Sequence, residues 1–324
     1  MIKVHCFVSC VCEAIKKSVH ADHRPYYFGV WDADFDVLED GTIIYHSSRI
    51  DHTFFRTWYE MLYGITLDEW YDPLKNKSDN IQHMLQLLDG KSDDEYLMVM
   101  LDLSKLPERE NKFHQSPFPH YVMLEKTENE DEWMMLDPDF RWEGVLKKDR
   151  ILDAIKEPAV GGGYLFDASD VIAPGPEAVE AYFNTCMKLH KNPILDAVKS
   201  IVTSYTEGQR GPVSNLSKVL KQLPVLAIRK YAYEHAYAYF WNELQLDEHI
   251  FEAWCDEIEK LERGFTTIQY RAMKYAKTEA PEVAETIFQK IEELQALEFN
   301  IKHGLQECFK AWMRKQTKEE VTAG

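Results

Sequence analysis

The sequence predicts an α+β fold, in which a mixed or antiparallel sheet with flanking helices precedes an all-helical part. Two observations carry this prediction. In the first half of the chain, short apolar runs alternate with turn-forming and charged segments, which is typical of strands joined by loops. After Ala173-Pro-Gly-Pro176, longer segments with apolar residues at helical spacing take over. We therefore expect two domains, over residues 1–173 and 174–324.

The N-terminal part begins with helical and strand-like segments in alternation. Apolar residues at helical spacing predict helices over residues 6–18, 51–63 and 76–88. Short apolar and aromatic runs predict strands over 26–31 and 42–45.

The sheet is predicted from apolar runs that follow these segments. The continuous run over 96–101 predicts a central strand that is buried on both faces. The runs over 121–124 and 133–136 are separated by a charged stretch, which favours an antiparallel hairpin with an exposed loop. A further strand is expected over 164–166, directly after three glycines.

The C-terminal part is divided by proline and glycine. These breaks predict roughly six helices. They fall at Asn192-Pro193, residues 208–212, Leu223-Pro224, Gly264 and Ala280-Pro281.

Charge and composition restrict the possible partners. The formal net charge of −18 and the absence of a basic stripe argue against nucleic acid. An acidic protein favours cationic partners, although such charge also simply maintains solubility. No apolar run is long enough to span a membrane, and the six scattered cysteines do not form a disulfide framework, so we expect a cytoplasmic protein.

Three cysteines near the N-terminus are candidate nucleophiles. Cys6 is expected to begin the first helix, where unpaired N–H groups and the helix dipole stabilise a thiolate. Cys10 becomes the candidate if the helix begins later, and Cys12 lies deeper. Inert burial is the usual fate of a free cysteine. A metal site is disfavoured because the C-x3-C-x-C spacing lacks a second ligand pair.

His120 and Asp137 flank the predicted hairpin and complete a possible catalytic site. Pairing of the two strands brings the start of the first beside the end of the second, and therefore His120 beside Asp137. His120 would act as general base and Asp137 would orient its imidazole. Alternatively, His120 is an ordinary loop residue and Asp137-Pro138 only marks a turn.

These residues carry two family resemblances. His120-Tyr-Val-Met-Leu124 with Leu136-Asp137-Pro138 resembles the second half of the papain-like fold of C39 peptidases, which process bacteriocins. His5-Cys6 and the following helix are similar to the N-terminal domain of the butirosin biosynthesis protein H family, which are cysteine acyltransferases. Both resemblances imply a papain-like N-terminal domain.

A longer resemblance covers nearly the whole chain. The segments 26–35, 106–114 and 226–231 resemble the aryl transferases of petrobactin siderophore biosynthesis. This resemblance implies transfer of a 3,4-dihydroxybenzoyl group from the phosphopantetheine thioester of an aryl carrier protein to a primary amine of spermidine or of a citryl–spermidine conjugate. It implies no bound cofactor.

A polyamine substrate would require carboxylates and aromatic faces for its ammonium groups. The residues that we expect to supply them are Asp32, Asp34, Glu60, Tyr231, Glu234 and His235. Each could equally be an ordinary surface or core residue. Two other functions fit the same sequence: a papain-like peptidase or thioesterase with water as the acceptor, and a scaffold without catalytic activity.

Overall fold

The computed structural model describes residues 4–18, 20–110, 112 and 117–323, with side chains up to residue 318 in the last helix. The helices are α1 (Cys6–Lys17), α2 (Thr53–Tyr63), α3 (Lys77–Gly90), α4 (Lys148–Lys156), α5 (Pro176–Cys186), α6 (Pro193–Thr206), α7 (Leu216–Val219), α8 (Leu223–Ala227), α9 (Ala232–Leu244), α10 (Glu248–Thr278) and α11 (Pro281–Ala323). The strands are β1 (Asp36–Val37), β2 (Ile43–Ile44), β3 (Asp68–Glu69), β4 (Glu95–Asp102), β5 (Pro119–Lys126), β6 (Glu132–Asp137), β7 (Trp142–Lys147) and β8 (Gly163–Asp167). The predicted α+β architecture with a helical C-terminal part is confirmed, while its papain-like character stays a prediction.

The chain forms two compact units. Unit 1 contains residues 1–26 and 52–175, and unit 2 contains residues 27–51 and 176–324. The sequence indicated one boundary, after residue 173, whereas segment 27–51 also belongs to the helical unit. The reason is packing within unit 2, where Trp31 of this segment stacks on Tyr233 with ring centroids 4.8 Å apart.

Unit 1 is built on an antiparallel sheet with helices on both faces. Its strand order is β3-β8-β4-β5-β6-β7 in the described residues. On one face, α3 and α4 contribute side chains to a core with alternate residues of β4 and β5. On the other face, Phe7 of α1 contacts Tyr121, and Tyr59 of α2 contacts Phe166. Burial on both faces explains why β4 is a continuous apolar run, as predicted.

Some short elements of this half differ from the prediction. Residues 26–31 are not a strand, because Arg24–Gly29 forms a 3₁₀ helix. Its aromatic residues are buried, and a short buried run has the same apolar pattern in either conformation. β7 and α4 were not predicted, because only Leu146 is buried in β7 and charged residues begin α4, so neither segment has a long apolar run.

Unit 2 consists mainly of helices, with the short β1–β2 pair. The break expected at Gly264 is wrong, because α10 continues through it. A Cβ atom at Gly264 would lie 2.3 Å from Leu294 Cδ2, so this glycine permits close packing of α10 on α11. The break between α9 and α10 instead falls at Gln245, which has a left-handed conformation with φ 50°. Within the described ranges, we find no helix with the length and apolarity needed to cross a membrane.

Candidate active site

Cys6 is the first residue of α1 and differs from the other two N-terminal cysteines in its surroundings. It is partly exposed, whereas Cys10 and Cys12 are buried. The Cys10 thiol lies 3.6 Å from the carbonyl oxygen of Tyr121, and the Cys12 thiol lies 3.8 Å from that of His23. Burial raises the pKa of Cys10 well above its usual value, and nearby negative charge adds to this effect. Cys6 is therefore the N-terminal thiol best placed to meet a substrate.

The start of α1 is held by Asp139, which the sequence analysis did not identify. One oxygen of its carboxylate accepts hydrogen bonds from the N–H groups of Val4 and His5, each at 3.1 Å. The same oxygen accepts a hydrogen bond from the Ser9 hydroxyl at 2.9 Å. A carboxylate at the N-terminus of a helix satisfies donors that lack intrahelical acceptors. Asp139 thus fixes the position from which Cys6 projects.

The predicted hairpin brings His120 and Asp137 together. Met123 pairs with Leu136 in the register of β5 and β6, so the start of β5 lies near the end of β6. His120 Nε2 lies 2.9 Å from Asp137 Oδ1, and both side chains are buried. The same oxygen accepts the backbone N–H of Phe140 at 3.2 Å, as the carboxylate caps the turn that follows β6. This geometry leaves Nδ1 of His120 as the ring nitrogen that can exchange a proton with a thiol.

His120 also interacts with Cys6. Burial alone lowers the pKa of His120, but the charges of Asp137 and Cys6 raise it, as do the hydrogen bonds that the ring donates to each of them, and the net pKa lies well above the usual histidine value. Cys6, His120 and Asp137 therefore form a continuous set of interacting groups. Such a set can generate a thiolate and move a proton, which is the requirement for nucleophilic catalysis.

A fourth charged residue, Arg109, adjoins this set and was also missed. Its Nη2 lies 2.9 Å from Asp137 Oδ2, and the guanidinium is almost fully buried. It lies over the rings of Trp142 and Phe140, at 4.6 and 5.2 Å from their centroids. Arg109 lies within segment 106–114, which carries part of the resemblance, but no role was predicted for it because it lies in an irregular loop 28 positions before Asp137.

Asp32, a predicted substrate-binding residue, lies in the interior of unit 2. Its two carboxylate oxygens lie 3.0 Å from Lys230 Nζ and 2.8 Å from Lys302 Nζ. These two ammonium groups already neutralise the carboxylate and lower its pKa against the opposing effect of burial. Asp32 is thus occupied by internal partners.

The remaining predicted binding residues have different surroundings. His235 is buried and stacks on Tyr27 with ring centroids 3.8 Å apart. Asp34 is exposed in unit 2, and Glu60 is exposed on α2 of unit 1. Tyr231 and Glu234 are half-buried at the start of α9.

Tyr231 and Glu234 belong to an acidic cluster that also contains Glu259 and Glu262 of α10. Burial, followed by the charge of Glu259, raises the pKa of Glu234 to about 7. Burial and the charges of Glu262, Glu259 and Glu234 raise the pKa of Tyr231 to about 12, against the opposing charge of Arg263, which forms an ion pair with Glu259 at 2.6 Å. Neither of these α10 residues was predicted, because only folding brings them to α9. We refer to these four residues as the α9–α10 acidic cluster.

Models of known protein families match both halves of the chain. The DUF6005 N-terminal domain model matches residues 1–171, and the DUF6005 C-terminal domain model matches residues 177–323. A Bacillus anthracis protein named petrobactin synthase is 46% identical over 321 residues, covering 99% of this chain and 98% of that protein. The chain therefore belongs to the DUF6005 family and is a homologue of this petrobactin synthase.

Proposed function

We propose that this protein is a cysteine-dependent N-acyltransferase of petrobactin biosynthesis. The donor is the thioester of 3,4-dihydroxybenzoate on the phosphopantetheine of an aryl carrier protein. The acceptor is a primary amine of spermidine or of its citryl conjugate. The observation that carries the proposal is that Cys6, at the start of α1, interacts with His120, which in turn interacts with Asp137. The homologue's name supports the pathway.

In the first step, the Cys6 thiolate attacks the carbonyl carbon of the donor thioester. A bond forms between this carbon and Cys6 Sγ, and its bond to the phosphopantetheine sulfur breaks. His120 takes the proton of the Cys6 thiol and gives it to the departing phosphopantetheine thiolate. One thioester replaces another, so the free energies of the two sides are similar.

In the second step, the acceptor amine attacks the aryl–Cys6 thioester. A carbon–nitrogen bond forms, and the bond to Cys6 Sγ breaks. His120 accepts the proton that the amine loses and shares it with the released Cys6 thiolate. The amide product is more stable than a thioester, and this difference drives the sequence forward.

The negative oxygen formed in each step requires hydrogen-bond donors. The first N–H groups of a helix lack intrahelical acceptors. The N–H of His5 donates to Asp139, whereas the N–H of Cys6 is the next donor along the helix start. We assign the Cys6 N–H to the oxyanion, where an oriented donor is most effective.

The acceptor's ammonium groups require carboxylates. Among the predicted residues, Glu234 and Tyr231 are the best candidates, because a bound cation would relieve the repulsion within the α9–α10 acidic cluster. Asp34 and Glu60 stay predicted contacts on exposed positions. Asp32 and His235 are left out, because their side chains have internal partners.

The test is to incubate the protein with the aryl-loaded carrier protein and to measure its intact mass before and after adding spermidine. We expect an aryl adduct on the peptide that contains Cys6, which disappears as amide forms. Cys6→Ala should give neither adduct nor amide. Cys10→Ala is the matched control, and it should retain both because Cys10 is buried.

Product analysis separates the other two functions. Free 3,4-dihydroxybenzoate as the main product in the presence of spermidine would indicate a thioesterase or peptidase instead. Unchanged amide formation by Cys6→Ala would exclude the covalent route. A wild-type protein without any adduct or product would support a scaffold.

A further inference from the structure

The Asp137 carboxylate is shared between a base and a cation. Its Oδ1 faces Nε2 of His120, and its Oδ2 faces Nη2 of Arg109, each at 2.9 Å. The side chains of Asp137, His120 and Arg109 are at most 4% exposed, so water does not compete strongly for these contacts. A carboxylate bound on one side only could rotate about its χ2 angle. The ion pair with Arg109 adds a contact on the second oxygen, which restricts this rotation.

Arg109 is itself fixed by packing and by the backbone. Its guanidinium lies between the Asp137 carboxylate and the rings of Trp142 and Phe140. Its backbone N–H donates to the carbonyl oxygen of Leu106 at 3.0 Å. The Phe140 ring also meets the ring of His120 edge to face, with centroids 5.0 Å apart. Arg109 and His120 are thus held by the same aromatic side chain and by the same carboxylate.

We propose that Arg109 is a positioning residue of the active site, which holds Asp137 in the orientation that aligns His120 and offsets the charge of that carboxylate. The inference rests on the proposed function for the task of His120, and on the contacts above for the role of Arg109. Among the described residues, the charged and titratable groups around His120 include Asp137 and Cys6, with Arg109 on the far side of Asp137. Lys112 lies over the rings of Phe118 and Phe140, which both adjoin His120.

The offset charge matters because His120 must both accept and release a proton in each reaction step. Although burial lowers the pKa of His120, the charges of Asp137 and Cys6 already hold it well above the usual histidine value, and a carboxylate without a second partner would raise it further, so that the imidazolium would release its proton less readily. A guanidinium on the other side of the carboxylate opposes this effect. Removal of Arg109 should therefore strengthen proton binding by His120.

The first test is an NMR titration of the protein labelled with ¹⁵N-histidine, in which His120→Gln assigns the His120 signals. We expect Arg109→Gln to raise the pKa of His120 by about one to two units, from the loss of one positive charge a few ångströms away. Arg109→Lys keeps the charge, so the pKa of His120 in this variant should stay within about half a unit of the wild-type value.

The second test is kinetic and uses Arg109→Lys. A lysine cannot reproduce the guanidinium plane against Asp137 and the two rings. We expect kcat for amide formation to fall about tenfold or more, with KM for the carrier protein unchanged, because only alignment of the base is impaired. The matched control is Arg229→Gln in unit 2, since Arg229 and Arg109 are each 4% exposed. It should lower stability and leave the pKa of His120 unchanged.

The proposal is overturned if folded Arg109→Gln leaves the pKa of His120 unchanged, or if Arg109→Lys has the kcat of wild type. Should Arg109→Gln not fold, Arg109→Lys decides the matter through kcat. The titration needs no substrate. A wild-type protein that forms no aryl adduct would therefore overturn the proposed function and leave the role of Arg109 measurable.

Discussion

Each unit of the protein contains a buried cluster of charged residues, and the two clusters differ in what they leave accessible. In unit 1, Arg109, Asp137 and His120 adjoin the partly exposed thiol of Cys6. In unit 2, Lys230 and Lys302 face two carboxylates, Asp32 and Glu298, and all four side chains are at most 3% exposed. We call the first the open cluster, because it adjoins a partly exposed thiol, and the second the closed cluster, because its charged groups pair with one another.

The closed cluster has the composition of a structural network. Its two ammonium groups balance its two carboxylates, and the Tyr233 hydroxyl adds a hydrogen bond to Glu298 at 3.0 Å. Lys230 also donates to the carbonyl oxygen of Trp31 at 2.7 Å, which ties segment 27–51 to the helices of unit 2. Buried ion pairs of this kind contribute specificity of packing more than net stability. Burial of charge alone therefore does not indicate a catalytic site.

The largest effect that we expect separates the two clusters by activity. Cys6→Ser should lower kcat/KM for amide formation by about 10⁴-fold or more, because the weaker nucleophile leaves the donor thioester uncleaved. Its melting temperature should stay within about 2 °C of wild type, since the substitution exchanges similar atoms at a partly exposed position. A stable variant with nearly wild-type activity would remove the distinction between the clusters. Kinetics and thermal melting measured on the same preparation test both statements.

The next largest effect is on stability and concerns the closed cluster. Lys302→Met should destabilise unit 2 by about 3–5 kcal/mol, because it leaves one ammonium group to neutralise two buried carboxylates. Urea unfolding measures this loss. The kcat per folded molecule should not change. A lower kcat in the folded variant would show that the closed cluster has a functional role as well.

A double substitution tests whether charge balance stabilises the closed cluster. Asp32→Asn with Lys302→Met restores the charge balance, leaving Lys230 paired with Glu298 at 2.6 Å. The double variant should therefore lose less free energy of unfolding than the two single variants lose together, and the difference, the coupling energy, should be about 1–3 kcal/mol. Lys310→Met is the control, because its ion pair with Glu307 lies at the surface and should contribute much less.

A smaller effect tests how firmly the open cluster is held. Asp139→Ala removes the acceptor for Val4, His5 and Ser9 at the start of α1. We expect kcat to fall about tenfold and alkylation of Cys6 by iodoacetamide to slow, since the nucleophile is no longer held toward His120. Asp139→Asn keeps an acceptor oxygen and should retain most activity. Equal rates for Asp139→Ala and wild type would contradict the positioning role.

The sequence predicted the parts of the open cluster that follow from strand pairing. Cys6 begins a helix, and His120 and Asp137 lie at the adjoining ends of β5 and β6, so periodicity and hairpin geometry were sufficient to bring the last two together. Asp139 was within reach of the same reasoning, because it lies two positions beyond Asp137 in the turn. Arg109 was not, because an irregular loop carries no periodic pattern.

The closed cluster could not be predicted from the sequence. Lys302 lies 270 positions from Asp32, and neither side chain differs in sequence context from a surface residue. The same reason explains why Asp32 was predicted as a substrate ligand. Similarly, Glu259 and Glu262 join Glu234 only through the packing of α10 against α9. Long-range partners determine whether a charge is structural or free to bind a ligand.

The smallest effect concerns the α9–α10 acidic cluster, whose burial is intermediate between that of a surface group and that of the two buried clusters. Glu234 is half-buried, and its pKa is raised by burial and by the charge of Glu259, with no cation among the described residues to oppose them. The pKa of Glu234, about 7, lies above the value of about 4.3 for a glutamate in an unfolded chain. Between these pH values the folded state binds a proton that the unfolded state releases, so stability falls as the pH rises through this window.

Glu234→Gln should therefore be more stable than wild type at pH 8, by about 1 kcal/mol after allowance for solvent screening, and should not differ at pH 4. If an ammonium group of the acceptor binds here, spermidine should raise the melting temperature of wild type at pH 8 and not that of Glu234→Gln, whose KM for spermidine should be about 2- to 5-fold higher. Glu293→Gln, at an exposed position of α11, is the control for charge alone. Equal stabilisation of Glu234→Gln and wild type by spermidine would remove the acidic cluster from the acceptor site, and equal stability at pH 8 would show that Glu234 is already compensated within unit 2.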